Sequence, residues 1–165
     1  DVQSKGWYKK PEAMFRASGM AEKVCWIDTD CHILDNVDDI FDYTEPLKLG
    51  MVEDRPWTKR TGGKFHNSGV VVFEGSPPVL NQWRKKVAEK NRRIAVGMGD
   101  QEVLHVMMDT ALTRHIHITD VPNIYNWLRL QVEVDNEDSP YKKIMHWTGK
   151  KGKVQIQKMI EEWNG

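Results

Sequence analysis

The chain has 165 residues, about the size of one domain, and is long enough to hide roughly two-thirds of the surface its unfolded form exposes. Lys plus Arg and Asp plus Glu both number 24, which excludes a general electrostatic pull toward nucleic acid or membrane. Hydrophobic residues at 39% and charged residues at 29% are ordinary for a globular protein, no apolar run approaches a membrane span, and no signal-peptide pattern opens the chain.

Residues 1–9 are polar and are expected to be loose. Pro11 to Met20 reads as a helix, with Pro11 suited to the first turn and Gly19 to the stop. Lys23 to Ile27 is a short apolar run ending in acids, the pattern of a buried parallel strand. Cys25 and Cys31 flank its end. They form neither a CxxC pair nor a disulfide framework, and two free thiols suit a reducing, cytoplasmic-type compartment. Asn36 to Phe41 predicts a short helix with Val37, Ile40 and Phe41 on one face, and Leu47 to Val52 a strand. Arg55 to Lys64 holds Pro56, Gly62 and Gly63 and is expected to be a basic loop. Gly69 to Phe73 is the strongest strand signal, since branched and aromatic residues fit a pleated surface.

Ser76, Pro77 and Pro78 punctuate the start of a helix in which Val79, Leu80, Trp83 and Val87 recur at helical spacing. Asp100 is placed to cap another, running to about Ala111. Ile116 to Ile118 and Ile144 to Trp147 predict short strands, the first with His115 and His117 on its solvent side. Val154 to Trp163 predicts a closing amphipathic helix with Ile156, Met159, Ile160 and Trp163 turned inward. Strands alternating with helices, with no repeat and no long linker, predict one α/β domain over 1–165 with parallel strand pairs. Trp83 and Trp163 are expected in the core, while Trp57, Trp127 and Trp147 lie near loops or strand ends where a tryptophan can meet a ligand.

Ligands of such sheets sit beyond the carboxyl ends of the strands. There the first strand delivers Asp28 and Asp30, two carboxylates on one side of an extended segment and able to reach one cation together. Hard oxygen ligands suit Mg2+ or Mn2+, which also take oxygens from a diphosphate. Asn67 and Ser68 precede the strongest strand as compact donors and acceptors, and Gly69 permits close backbone approach. Asp100 and Gln101 open a helix. His146 ends a late strand, where a neutral imidazole can join a metal, and Lys150, Lys151 and Lys153 follow it, able to neutralise phosphate.

In this order the pieces resemble a nucleotide-sugar glycosyltransferase of the GT-A fold, of the glycogenin-type and galactosyltransferase-like group. The likeness lies in Trp26-Ile27-Asp28-Thr29-Asp30, Ile33-Leu34-Asp35-Asn36, Asn67 to Val70, Asp100-Gln101 and His146 to Lys150, with Trp7, Lys10 and Pro11 resembling the helix start that precedes the Asp-x-Asp. It implies a Rossmann-like, mixed but mostly parallel sheet flanked by helices. Asp28, Asp30 and His146 would hold Mn2+ or Mg2+. Thr29, Asn67, Ser68, Gln101, Gly149, Lys150 and Lys10 would meet the donor, a UDP-sugar above all. Asp100 would stand nearest the anomeric carbon, as base on the acceptor hydroxyl of an inverting enzyme or as stabiliser of ring charge in a retaining one. The acceptor would be a glycan, a protein or a small molecule.

Two features depart from that group. Only 27 residues precede Asp28, and the chain starts at Asp1 rather than Met, so much of the nucleoside-binding half is expected to be absent or supplied by another segment. The usual Pro-Trp after the late lysine is missing. An inactive remnant acting as a binding module is one alternative. A phosphatase of the haloacid-dehalogenase type is another, although His32 stands where that family wants Thr or Val, and Asp38-Asp39 comes too early for its late acid pair.

Overall fold

The computed structural model describes residues 6–92, 99–108 and 110–164. Its strands are β1 (Lys23–Ile27), β2 (Cys31–Ile33), β3 (Leu49–Glu53), β4 (His66–Glu74), β5 (Ile118–Val121), β6 (Trp127–Leu128) and β7 (Ile144–His146). The helices are α1 (Lys10–Ala17), α2 (Arg55–Thr61), α3 (Pro78–Arg92), α4 (Asp100–Met107), α5 (Ala111–His117), α6 (Arg129–Glu133) and α7 (Gly149–Asn164). One sheet has the order β1-β4-β3-β5 and a smaller one the order β2-β7-β6. Among the described residues no helix is long and apolar enough to cross a membrane.

The run Val70-Val71-Val72-Phe73 is apolar at every position because both faces of β4 are covered. Val71 and Phe73 join Leu49 and Met51 of β3 against Met14, Leu80, Trp83, Val87, Val103 and Leu104 of α1, α3 and α4. Val70 and Val72, with Val52, face Ile40, Val121, Tyr125 and Ile144. The period-two alternation of a strand divides these residues between two cores.

The architecture is α/β with mixed sheets, and several local expectations change. β1 is not parallel: it pairs antiparallel with β4, from Lys23↔Glu74 to Ile27↔Val70, and β3 is also antiparallel to β4. The parallel pairs are β3 with β5 and β6 with β7. Gly6–Lys9 is a turn of 3-10 helix rather than loose chain, while residues 1–5 lie outside the described residues. Arg55 to Lys64 is largely the helix α2. Pro56 sits in its first turn, Asp54 caps it by accepting from the Trp57 N–H at 3.1 Å, and Gly62 stops it at φ 74°. The same Pro and Gly that suggest a loop are helix punctuation once a capping Asp precedes them.

Residues 116 and 117 are helical and β5 begins only at Ile118, so His115 and His117 belong to the last turn of α5. The closing helix α7 starts at Gly149, and its expected inward face is only partly covered: Ile156 and Met159 are half-buried, while Ile160 is 49% and Trp163 88% exposed. Trp83 is buried as expected, at 0%.

At the start of β4, His66 is 8% exposed and its Nε2 lies 2.8 Å from Asp120 Oδ1. Burial pushes the imidazole below its usual range, against the pull of Asp120 and with help from Lys64 and Arg114. Between the unfolded value of about 6.5 and the lower folded one, the unfolded chain therefore carries more proton, so stability falls as pH falls. For one proton the slope is at most about 1.4 kcal/mol per pH unit. Thermal melts between pH 7.5 and 5.5 should show Tm dropping, and His66→Gln should flatten part of that slope. An unchanged slope in the variant would show that His66 does not set it.

Candidate metal and donor site

Past the end of β1 the chain turns sharply. The Asp28 N–H donates to the Gly69 carbonyl at 2.8 Å and the Cys31 N–H donates to the Asp28 carbonyl at 3.0 Å. The Trp147 N–H donates to the Asp30 carbonyl at 2.9 Å, and Cys31 pairs with His146 in the smaller sheet. Backbone bonds alone thus bring the turn against the end of β7. Asp28, Asp30 and His146 each offer a ligand atom, all within 4.8 Å of one another. Two half-buried carboxylates and a buried imidazole make an O, O, N donor set suited to Mn2+ or Mg2+.

A register shift builds the next layer. Along β3 and β4, Met51 pairs with Val71, but Val52 pairs with Asn67 where regular pairing would place Val70. Ser68 and Gly69 are thereby lifted off the β3 ladder, as bulges do near sites. The Ser68 N–H donates to Gln101 Oε1 at 2.9 Å, and Ser68 Oγ lies 3.0 Å from Asp100 Oδ2. Gly69 must be glycine: a Cβ there would lie 2.1 Å from His146 Cε1.

Lys10, at the start of α1, reaches into this layer with only 6% exposure. Its Nζ donates to Asp28 Oδ2 at 2.9 Å, the Ser68 carbonyl at 3.1 Å and Ser68 Oγ at 3.0 Å, and lies 3.4 Å from Asp100 Oδ2. One buried cation thus bridges two carboxylates, the arrangement that makes buried charge tolerable. Burial pushes the Asp100 carboxyl above its usual range, although Lys10 and Ser68 pull it down. Burial also pushes Asp30 up, but the His146 hydrogen bond and charge outweigh it and the net direction is down; Lys153 adds to that. Burial raises the Cys25 thiol to about 11; burial and the charges of Asp28 and Asp30 raise Cys31 further, so neither is an activated thiolate.

The remaining expected residues are distributed unevenly. Asp100 does not cap α4: Gly99 is the cap, with its N–H donating to Glu102 Oε2 at 2.7 Å, which leaves the Asp100 carboxylate for Ser68 and Lys10. Asn67 turns inward. Its Oδ1 accepts from the Gly69 N–H at 2.8 Å and Asn126 Nδ2 at 2.9 Å, and its Nδ2 donates to Asp54 Oδ2 at 3.0 Å. Gln101 Nε2 donates to the same Asp54 oxygen at 3.3 Å. Thr29 is exposed at the turn, and Gly149 (φ 78°) and Lys150 are exposed at the start of α7. Of the basic run, Lys153 adds its charge to the downward pull on Asp30.

Sequence reasoning missed Asp54, Asn126, the Trp26 indole, which donates to Asp28 Oδ1 at 2.6 Å, and Arg129, whose Nε donates to the Thr148 carbonyl at 3.0 Å. Only Trp26 carried a signal, lying two residues from Asp28 and so on the same side of an extended chain. Trp57 is exposed, Trp127 buried and Trp147 half-buried. The late acids of a dehalogenase-type site are not supplied by Asp38-Asp39, where Asp39 pairs with Lys143 at 2.6 Å.

No family model and no curated protein matches the chain. Solved structures do. A glycosyltransferase involved in glycosylating the major capsid of PBCV-1 superposes over 98% of this chain and 80% of its own, at TM-score 0.61 and 12% identity. Mouse xyloside xylosyltransferase 1 matches 84% of this chain at TM-score 0.54 and 14% identity, and an active-site mutant of LgtC matches 83% at TM-score 0.53 and 14% identity. The chain has a GT-A-like fold. It spans 62% of the xylosyltransferase and 59% of LgtC.

Proposed function

We propose that this chain is a single metal-dependent glycosyltransferase domain that moves a sugar from a nucleoside-diphosphate sugar, a UDP-sugar foremost, to a hydroxyl of a glycan, protein or small-molecule acceptor. The observation that carries the reading is the convergence of Asp28, Asp30 and His146 on one point, with Lys10, Ser68 and Asp100 packed beside it. The GT-A-like fold supports it.

In this reading Asp28-Thr29-Asp30 is the metal-binding Asp-x-Asp, and His146 is the third protein ligand. A bound Mn2+ or Mg2+ would supply Lewis-acid neutralisation of the departing diphosphate. Lys10 neutralises the carboxylates that flank the sugar position and holds Asp28 and Asp100 at set distances. Ser68 bonds both Asp100 and Gln101, and Gln101 is oriented by Asp54. Asp100 stands nearest the anomeric carbon. Its raised pKa strengthens it as a base for an acceptor hydroxyl in an inverting transfer, and its charge steadies the sugar ring in a retaining one. Lys150, Gly149 and the neighbouring Lys153 take the phosphate side.

Calorimetry with UDP and UDP-sugars, with and without Mn2+, tests the reading, paired with an assay of donor hydrolysis. Binding should require Mn2+. Asp100→Asn should retain donor binding and lose roughly 100-fold or more of turnover, the scale of a missing acid-base group. Absence of Mn2+-dependent binding would favour an inactive remnant, and phosphate release from phosphomonoesters would favour a phosphatase.

A further inference from the structure

We infer that Asn126 is a positioning residue that fixes the proton of His146 on Nδ1 and so reserves the Nε2 lone pair for the cation. The inference deepens the metal site proposed above and rests on it. Asn126 is 0% exposed and lies between β5 and β6, far in sequence from each of its side-chain partners. Its Oδ1 is 2.9 Å from His146 Nδ1 and its Nδ2 donates to Asn67 Oδ1 at 2.9 Å.

The direction of these bonds follows from their two ends. An ionised carboxylate only accepts and a backbone N–H only donates. Asp54 Oδ2 therefore takes the Asn67 amide nitrogen, and the Gly69 N–H takes the Asn67 amide oxygen. With that oxygen turned toward Asn126, Asn126 must present its own nitrogen to Asn67 and its oxygen to His146. An oxygen facing Nδ1 requires a proton there. Nε2 lies 3.2 Å from Asp30 Oδ1 on the side where Asp28 and Asp30 converge; a carboxylate oxygen only accepts, so that contact is made by an Nε2 proton, and with the Nδ1 proton held by Asn126 it is the Nε2 proton that a cation there would displace. The chain Asp54–Asn67–Asn126–His146 is thus a one-way relay with a helix cap at its far end, because the other oxygen of Asp54 accepts from the Trp57 N–H. Such outer partners commonly orient a metal-bound histidine and raise its basicity.

Mn2+ affinity, read by electron paramagnetic resonance of the free ion, separates the possibilities. Asn126→Leu should weaken Mn2+ binding about 10- to 100-fold while circular dichroism stays that of the parent. A folded Asn126→Leu chain binding Mn2+ as tightly as the parent would overturn the inference and leave the metal site standing. A parent chain that binds no Mn2+ would overturn both. Should the variant fail to fold, 15N NMR of histidine-labelled parent chain with Zn2+ as a diamagnetic probe decides: His146 should show a protonated Nδ1, and a proton on Nε2 with a bare Nδ1 would overturn the assignment.

Discussion

Asp30→Asn is expected to weaken Mn2+ binding roughly 100-fold or more, beyond the loss typical of removing an outer partner, and to abolish metal-dependent donor turnover while the chain still melts cooperatively. The amide is almost the shape of the carboxylate. The Asp30 carbonyl keeps its bond from the Trp147 N–H, so the turn after β1 has its anchor in the variant too. What is lost is the negative charge that, in the proposed site, would draw a divalent cation into the space between Asp28 and His146. Calorimetric titration of Mn2+ and a thermal melt, run on the same preparation, read the two effects separately. Undiminished Mn2+ affinity and turnover in a folded variant would remove Asp30 from the proposed metal site.

The second large effect is expected at Gly69. Gly69→Ala would place a methyl group 2.1 Å from His146 Cε1, 2.5 Å from its Nδ1 and 2.8 Å from Asn67 Oδ1. The ring has little freedom to withdraw, since Nδ1 is held by Asn126 and Nε2 by Asp30. Relief requires either a displaced histidine or a shifted β4 backbone. Overpacking of this kind costs about 1–3 kcal/mol or more, and here it falls on the proposed metal ligand His146, so stability and Mn2+ affinity should drop together. Gly63→Ala is the control, because nothing lies within 4 Å of a Cβ there. Denaturant unfolding and Mn2+ titration of both variants check this. If Gly69→Ala behaved like Gly63→Ala in both measurements, the tight packing of His146 on β4 would be wrong.

The parts of the site that were legible in the sequence share a property: their chemistry is local. Asp28 and Asp30 announce themselves because a two-residue spacing aims both carboxylates to one side of an extended chain. The Gly-Val-Val-Val-Phe run reads as a strand because its composition suits a pleated surface, and Trp83 reads as core because it recurs at helical spacing with Val79, Leu80 and Val87. The misread segments failed for local reasons too. Pro56 and Gly62 mark a helix or a loop depending on whether Asp54 bonds to the Trp57 N–H, a three-dimensional fact. Trp163 sits on a helical apolar stripe, yet it is exposed because nothing in the described residues packs over that end of α7.

The sequence alone therefore determined the α/β character, the covered strand at Gly69 to Phe73, and the short list of acids, amides and histidine from which a site could be made. Only the tertiary structure decided how they are used. The displaced register between β3 and β4 turns Ser68 and Gly69 toward Asp100 and Asp28. The fold also sends Lys10 between two carboxylates and makes Asn67 an internal link rather than an open donor contact. Asp54 and Asn126 enter the site although nothing near them in the chain marks them. The physical reason is that hydrogen-bond direction and charge balance depend on partners tens of residues away, and strand pairing, not local composition, brings those partners together.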